Sequence, residues 1–296
     1  MCSTDRRVVL GLYRSHHQRA FLEHALDRGV TDLDTAYNYY GGTSHRTLAR
    51  VAGDLLPQFQ ISTKVGYFPD GNHTEHSLDP TQLRQAIGRS VEELSCRPAV
   101  VLLHNPEVTV GTVELGERLD VLSQAIDVVR QSCQAGECQA WGVSTWNPAP
   151  LVTVLNSGRL DMLPVPDVLM VRGGLLVNAA TLHATERLCA QFGVTRAQCW
   201  TMSPFGGIAD AALWDQANPH LFLSPGQQAS SFQAAFRLAY ELPGADRVAV
   251  STNSERHLDE LLHGTTLDAD YAKIAKYRRL LAARQRWSGD RTELVD

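Results

Sequence analysis

The sequence predicts a closed parallel (β/α)8 TIM barrel with a C-terminal helix and tail, one domain over residues 1–296. Three observations predict it. Strand-like apolar runs alternate with amphipathic helical stretches along the whole chain, and a length of 296 residues falls within the range of one barrel. Residues 99–103 are unbroken apolar, as a strand covered on both faces of a parallel sheet should be. No Gly-x-Gly-x-x-Gly follows the first strand, which counts against the runner-up, an open doubly wound sheet.

Residues 8–12 read as the first strand and 18–28 as the first helix, with Phe21, Leu22, Ala25 and Leu26 on one face and Gly29 at the left-handed C-terminal cap. Strand two is 30–34, a short helix covers 43–51, and strand three is 60–63, with Lys64 just after it. Asp79-Pro80-Thr81-Gln82 starts the next helix: Asp79 caps, proline takes the first turn and Gln82 closes a capping box. Leu83, Ala86, Ile87, Val91 and Leu94 form its buried face. Strand four is 99–103, followed at once by His104. Leu119, Leu122, Ile126, Val129 and Cys133 space a long helix closed by Gly136. Strand five is 140–144, and Asn147-Pro148 opens a helix. Strand six is 165–171 with Pro166 at its beginning, helix six is 181–192 and strand seven 197–202. Residues 206–228 have weak periodicity and are expected to form a long loop. Helix seven (231–241), strand eight (247–250) and helix eight (255–263) complete the repeat. A final helix over 269–287 carries Tyr271, Ile274, Tyr277 and Leu281 on one face.

Hydrophobic residues at 44% and charged residues at 20% are globular composition, and a net charge of −5 gives no basic face for nucleic acid. The N-terminus lacks an apolar run of signal-peptide length, and no stretch approaches the ~20 apolar residues of a membrane span. The expectation is a cytoplasmic protein acting on a small molecule, with neither membrane nor nucleic acid as partner. Oligomeric state is not legible. Of six cysteines only Cys133 and Cys138 are close, with no second pair or histidines at ligand spacing, so no metal site is expected.

The chemistry gathers at strand ends. Asp34 closes strand two, Tyr39 follows on the next loop ahead of Gly41-Gly42, Lys64 closes strand three and His104 strand four. In a barrel all four face the C-terminal rim, where such enzymes build their sites. A lysine ammonium beside a phenol favours phenolate and lowers its pKa, a carboxylate holds the lysine, and a histidine can hydrogen-bond a substrate oxygen. That combination suits protonating a carbonyl oxygen or deprotonating a hydroxyl. Tyr40 is the rival phenol; spacing from Asp34 favours Tyr39 and makes Tyr40 a pocket wall.

The motifs DTAYNYYGG, STKVG and LLHNPE, with GVSTW at 142–146, SPFGG at 203–207 and VSTNSERHLDEL near the end, resemble the aldo-keto reductases. The resemblance implies a barrel enzyme that reduces an aldehyde or ketone with NADPH. It casts Tyr39 as general acid, Lys64 as its pKa-lowering partner, Asp34 as the lysine's anchor and His104 as the carbonyl-orienting group. It also assigns the cofactor to Ser144, Thr145, Met170, Met202, Ser203, Phe205, Ser251, Thr252, Asn253, Arg256 and His257.

Several of those cofactor positions depart from the family. Thr145 stands for the usual Asn, Met170 and Gly173-Gly174 for the Gln and Tyr-Asn of strand six, and Met202 for a stacking aromatic. Ser251 and His257 occupy places that often hold basic residues for a 2′-phosphate, and Leu261 replaces the closing Asn. Thr can hydrogen-bond for Asn, Met can cover a ring face, and Arg256 can serve a phosphate. Three readings stay open: a nicotinamide-dependent carbonyl reductase; a cofactor-independent acid/base lyase, epimerase or isomerase acting next to a carbonyl; and a non-catalytic binding subunit. Substrate choice falls to rim loops at 67–76, 206–228 and the tail after Trp287. Asp70, His73, Glu75 and His76 are candidate substrate contacts there, and Trp146, Trp200 and Trp214 candidate pocket walls.

Overall fold

A computed structural model describes residues 6–71, 73–156, 163–207 and 211–290. The chain runs β1 (Arg7–Gly11), α1 (Arg19–Asp27), β2 (Asp32–Asp34), the short turn α2 (Tyr39–Gly42), α3 (Ser44–Ala52) and β3 (Gln60–Val65). A hairpin follows, β4 (Tyr67–Asp70) and β5 (His73–His76), then α4 (Pro80–Leu94), β6 (Val100–His104), α5 (Glu107–Val110) and α6 (Arg118–Gln134). Next come β7 (Ala140–Thr145), α7 (Ala149–Leu155), β8 (Val168–Arg172), α8 (Ala179–Phe192), β9 (Cys199–Met202) and α9 (Ala211–Ala217). The chain continues through α10 (Ser231–Ala239), β10 (Arg247–Val250), α11 (Glu255–Thr266) and α12 (Tyr271–Asp290). Parallel pairing in the order β1-β10-β9-β8-β7-β6-β3-β2 closes the barrel, which is the (β/α)8 architecture.

Strand alternation divides the apolar residues between two compartments. Val9, Val100, Leu102, Val168, Met170, Trp200 and Ala249 fill the barrel interior. Their neighbours Leu10, Leu33, Ile61, Val101 and Leu169 face outward under the helices. The N-terminal end is sealed by charge: Asp32 pairs with Arg7 at 3.7 Å and Arg247 at 3.5 Å, and the Arg247 guanidinium covers Trp200. Polar inward positions at the other end, Asp34, Lys64, His104 and Ser144, leave chemistry to the C-terminal mouth. Gly142 is required by packing, since a Cβ there would meet the Val168 carbonyl oxygen at 2.1 Å.

Several boundaries move. Lys64 and His104 lie inside β3 and β6 rather than after them, because the parallel ladder extends to Val65↔Leu103 and His104↔Ser144. Pro166 stands outside β8, which begins at Val168; a residue without an N–H cannot extend the ladder. Asp79 caps α4 by accepting from the Gln82 amide at 2.8 Å, but the Asp79 amide donates to Ser77 Oγ, so Gln82 does not close the box. The reciprocal box occurs instead at α10, between Ser230 and Gln233.

The segment 206–228, expected as loop, contains α9 and a 3-10 turn at Pro219–Phe222, apart from residues 208–210, which lie outside those described. Trp214 is the reason: it is fully buried against Phe205 and Phe232 and draws the segment onto the barrel. The loop at 67–76 is largely the β4–β5 hairpin, with Tyr67↔His76 opposed. On α12, Ile274 is buried with Tyr277 and Leu281 packed beside it, whereas Tyr271 is exposed. Residues 291–296 of the expected tail lie outside those described. Among the described residues no helix is long and apolar enough to cross a membrane, and no cluster of three or more His, Cys, Asp or Glu could hold a metal.

Candidate active site

Four inward or rim-facing side chains meet at the mouth of the barrel. Lys64 is buried, and its ammonium has three donors. All three are used: Nζ donates to Asp34 Oδ2 at 2.5 Å, to the Thr35 carbonyl at 3.0 Å and to the Tyr39 hydroxyl oxygen at 3.3 Å. Ser62 Oγ donates to the other Asp34 oxygen at 2.8 Å. Burying this ion pair is tolerable because each charge is matched and hydrogen-bonded. Burial alone would lower the Lys64 pKa, but Asp34 and then Tyr39 outweigh it and leave it raised, so the ammonium stays charged.

Tyr39 is delivered by local backbone geometry. In α2, Tyr40 and Gly41 take left-handed φ values of 55° and 63°, and the reversal turns neighbouring phenols apart. Tyr39 faces Lys64; Tyr40 is 62% exposed and meets the His17 ring in a tilted contact at 5.4 Å. Because Lys64 donates to the Tyr39 oxygen, the phenolic hydrogen is left free for another acceptor. The expected lowering of the Tyr39 pKa is not the net outcome. Burial dominates and raises it; Lys64 pulls it down, Asp34 pushes it up again, and the phenol stays protonated at neutral pH.

His104 completes the group, its ring edge-on to Tyr39 at 6.0 Å and to Tyr67 at 4.8 Å. Burial, followed by the positive charge of Lys64, holds its pKa well below the usual histidine value, so it is a neutral imidazole. Its backbone is fastened by His76, whose Nε2 lies 2.8 Å from the His104 carbonyl oxygen and whose Nδ1 lies 2.7 Å from Thr109 Oγ1. A carbonyl only accepts, so Nε2 carries the hydrogen and Nδ1 accepts from Thr109. Glu107 pins the neighbouring loop, accepting from the Trp146 amide at 2.7 Å and the Asn147 amide at 2.9 Å.

Tyr13, Glu107 and Arg172 are residues that the sequence motifs did not single out as parts of the site, and His76, named there only as a candidate substrate contact, supports the His104 backbone. Tyr13, after β1, stands 5.2 Å from the Tyr39 ring. Glu107 lay within LLHNPE, and Arg172 shares the inward parity of Val168 and Met170, so each had a faint signal. His73, Asp70 and Glu75 are exposed on the hairpin. Trp200 belongs to the barrel interior and Trp214 to the outer core, while Trp146 is 45% exposed at the rim.

The residues assigned to the cofactor divide into three groups. Phe205, Ser251, Thr252 and His257 line a cavity of about 310 Å³ with Phe232, Gln233, Val250, Glu260 and Leu261, at the N-terminus of α11. Ser144, Thr145, Met202 and Ser203 lie at the ends of β7 and β9, with Ser144 Oγ 3.9 Å from Met202 Sδ. Met170, Asn253 and Arg256 are committed elsewhere. Met170 is fully buried in the barrel interior; Asn253 accepts from the His16 amide at 2.9 Å; Arg256 lies 3.4 Å from Glu260 and 3.2 Å from His257 Nε2. Gly173-Gly174 reflects close packing, since a Cβ on Gly174, at φ 106°, would meet the Pro204 carbonyl oxygen at 2.6 Å.

No curated protein sequence matches the chain. Solved structures do. An aldo-keto reductase from Bacillus halodurans, in holo form, superposes with a TM-score of 0.69 at 14% identity, over 93% of this chain and 91% of that one. A thermostable aldo-keto reductase in complex with the inhibitor epalrestat gives 0.61 at 18% identity, over 93% and 94%. A Pseudomonas aeruginosa protein provisionally assigned as an aldo-keto reductase gives 0.61 at 20% identity, over 87% and 88%. At these identities the likeness speaks for the fold. The sequence profile of the Aldo/keto reductase family matches residues 11–170, more than half the chain and the part that holds Asp34, Tyr39, Lys64 and His104. This chain belongs to the aldo/keto reductase family of oxidoreductases.

Proposed function

We propose that the chain reduces an aldehyde or ketone, with Tyr39 donating the proton to the carbonyl oxygen. The observation that carries this is the saturated ammonium of Lys64, which ties Asp34 to the Tyr39 hydroxyl and leaves that hydroxyl's hydrogen free for an acceptor in the mouth. In this role Lys64 stabilises the phenolate that forms as the proton leaves, Asp34 keeps Lys64 charged and in place, and neutral His104 hydrogen-bonds the carbonyl oxygen and orients it.

The site fits a reduced nicotinamide dinucleotide on two grounds. The cavity of about 310 Å³ sits at the low end of the ~300–1,000 Å³ typical of small-molecule sites. It also lies against the N-terminus of the 12-residue α11, where backbone amides favour a phosphate. Phe205, Ser251, Thr252 and His257 would hold the nucleotide end, and Ser144, Thr145, Met202 and Ser203 the nicotinamide end. When bound, that group supplies the hydride to the carbonyl carbon. NADPH is the form the family resemblance implies.

A protonated Tyr39 favours an acid over a base, which weighs against a phenolate-initiated isomerase or lyase. A redox-neutral reading keeps one supporting observation: at the nicotinamide end Met170 offers no polar contact and Ser144 faces the Met202 sulfur. Titration of dinucleotide-stripped protein with NADPH and NADH, followed by tryptophan quenching, separates the two. Saturable micromolar binding, with turnover of carbonyl compounds that Tyr39→Phe abolishes, supports the reductase; no binding up to millimolar dinucleotide overturns it.

A further inference from the structure

We propose that Arg172 is the receptor for an oxyanion on the substrate, so that the carbonyl compound taken here carries a carboxylate or phosphate group. The proposal rests on the reductase reading for the position of the reacting carbonyl. Its own support is independent of that chemistry.

Arg172 ends β8 opposite Met202 of β9 in the ladder. It is on the same side of the strand as Val168 and Met170, both of which fill the barrel interior, so its side chain rises into the mouth rather than under the helices. In the closed order of strands, β8 lies across the barrel from β2, which carries Asp34. A substrate whose carbonyl sits at Tyr39 and His104 would extend toward Arg172.

The guanidinium is held, and no carboxylate among the described residues pairs with it. It lies over the Trp146 ring at 4.6 Å, and Trp146 is itself anchored through its backbone amide to Glu107. The Arg172 Nε is buried and has no hydrogen-bond partner among the described residues. Arg196, Arg237 and Arg247 each have a carboxylate partner, Glu241 with Asp246, Glu241, and Asp32 respectively, although the Arg247 Nε, like that of Arg172, makes no hydrogen bond. A buried donor on a cation that lacks a partner costs stability. The fork of the guanidinium suits a planar carboxylate or a phosphate in bidentate contact. The aromatic contact fixes its plane before any ligand arrives, which reduces the ordering cost of binding. Lys64, a second cation at the mouth, has all three donors engaged by the protein.

An oxyanion at Arg172 could come from the substrate or from the pyrophosphate of the dinucleotide, and the test separates them. Binding of 2-oxo and ω-oxo acids of two to six carbons is measured by Trp fluorescence and calorimetry against the corresponding methyl esters. Each titration is run with and without oxidised dinucleotide, on wild type, Arg172→Lys and Arg172→Met. The expected result is at least one acid bound about tenfold or more tighter than its ester. That preference should be lost in Arg172→Met and partly kept in Arg172→Lys, with ester and dinucleotide affinities unchanged in all three proteins. Thermal melts identify a misfolded variant, in which case Arg172→Lys carries the comparison. Acids and esters bound alike by wild type, or a preference that survives Arg172→Met, overturns the proposal. So does a fall in dinucleotide affinity in Arg172→Met without loss of an acid preference, which assigns the guanidinium to the pyrophosphate. Because these are equilibrium measurements, an acid preference without turnover would count against the reductase reading and leave Arg172 as the oxyanion receptor.

Discussion

His76 Nε2 lies 2.8 Å from the carbonyl oxygen of His104, so the β4–β5 hairpin fixes the backbone of the residue that faces the phenol. Thr109 holds the other side of the same imidazole. Two hydrogen bonds at about 1 kcal/mol each are at stake. His76→Ala should therefore lower kcat/KM for carbonyl reduction by about tenfold, a figure that corresponds to ~1.4 kcal/mol of lost positioning. The exposed His73→Ala should change neither rate nor thermal midpoint. Equal effects from the two variants would show that the hairpin acts as a whole and that His76 has no special part.

The Lys64–Asp34 pair makes a different kind of demand. Removing one member leaves a buried charge unmatched, which costs about 3–5 kcal/mol, whereas removing both leaves no such charge. Lys64→Met should lower stability by that amount in urea unfolding, and Asp34→Asn combined with Lys64→Met should recover part of it while remaining inactive. A double variant no more stable than Lys64→Met alone would mean that packing, not charge, sets the cost.

That the four residues of the candidate site come together was legible because each lies within a short motif at or just after a strand end, where position in the chain nearly fixes position in the barrel. The supports were not. His76 reaches the His104 carbonyl across 28 residues and Glu107 reaches the Trp146 amide across 39, contacts that depend on loop geometry which no local pattern encodes. Arg172 needed strand register to show its direction. The helix α9 escaped for another reason: its burial depends on the single side chain of Trp214 packed on Phe205 and Phe232, and one residue makes no period. The effect of Lys64 on Tyr39 was read in the right direction, yet the sequence could not show that burial exceeds it.

That balance has a kinetic consequence. With the Tyr39 pKa raised above its ordinary 10.0, the phenol keeps its proton throughout the neutral range. Reduction should have a kcat/KM that is flat from about pH 6 to 9 and falls only as the phenol ionises above about pH 10. The reverse oxidation, which needs the proton acceptor, should rise over that alkaline interval. A reduction rate already halved by pH 8 would place the essential proton on another group.

Glu260 bears on the form of dinucleotide. Its side chain lines the cavity beside His257, while Arg256, 3.4 Å from it, is not on the cavity wall. A 2′-phosphate would meet that carboxylate, a like-charge contact worth about 1 kcal/mol when screened as in bulk water. Glu260→Gln should tighten NADPH binding about fivefold and leave NADH unchanged. Equal gains for both would locate the effect away from the 2′ position.

His45 should govern acid stability. It is buried beside Thr63, with Nε2 2.9 Å from Thr63 Oγ1, and burial followed by the charges of Lys64 and His17 pushes its pKa from 6.5 down to about 4. The sign follows from proton counting. Between those values the unfolded chain binds a proton that the folded one refuses, so stability is full above pH 6.5, declines as pH falls toward about 4, and then levels. The span is worth up to about 3 kcal/mol for this one residue. His17, His76 and His104 are lowered as well and steepen the decline. Urea midpoints taken from pH 7 to pH 4 should show a shallower slope for His45→Gln than for wild type, the difference confined to that window. Parallel slopes for the two proteins would assign the acid sensitivity to the other three histidines.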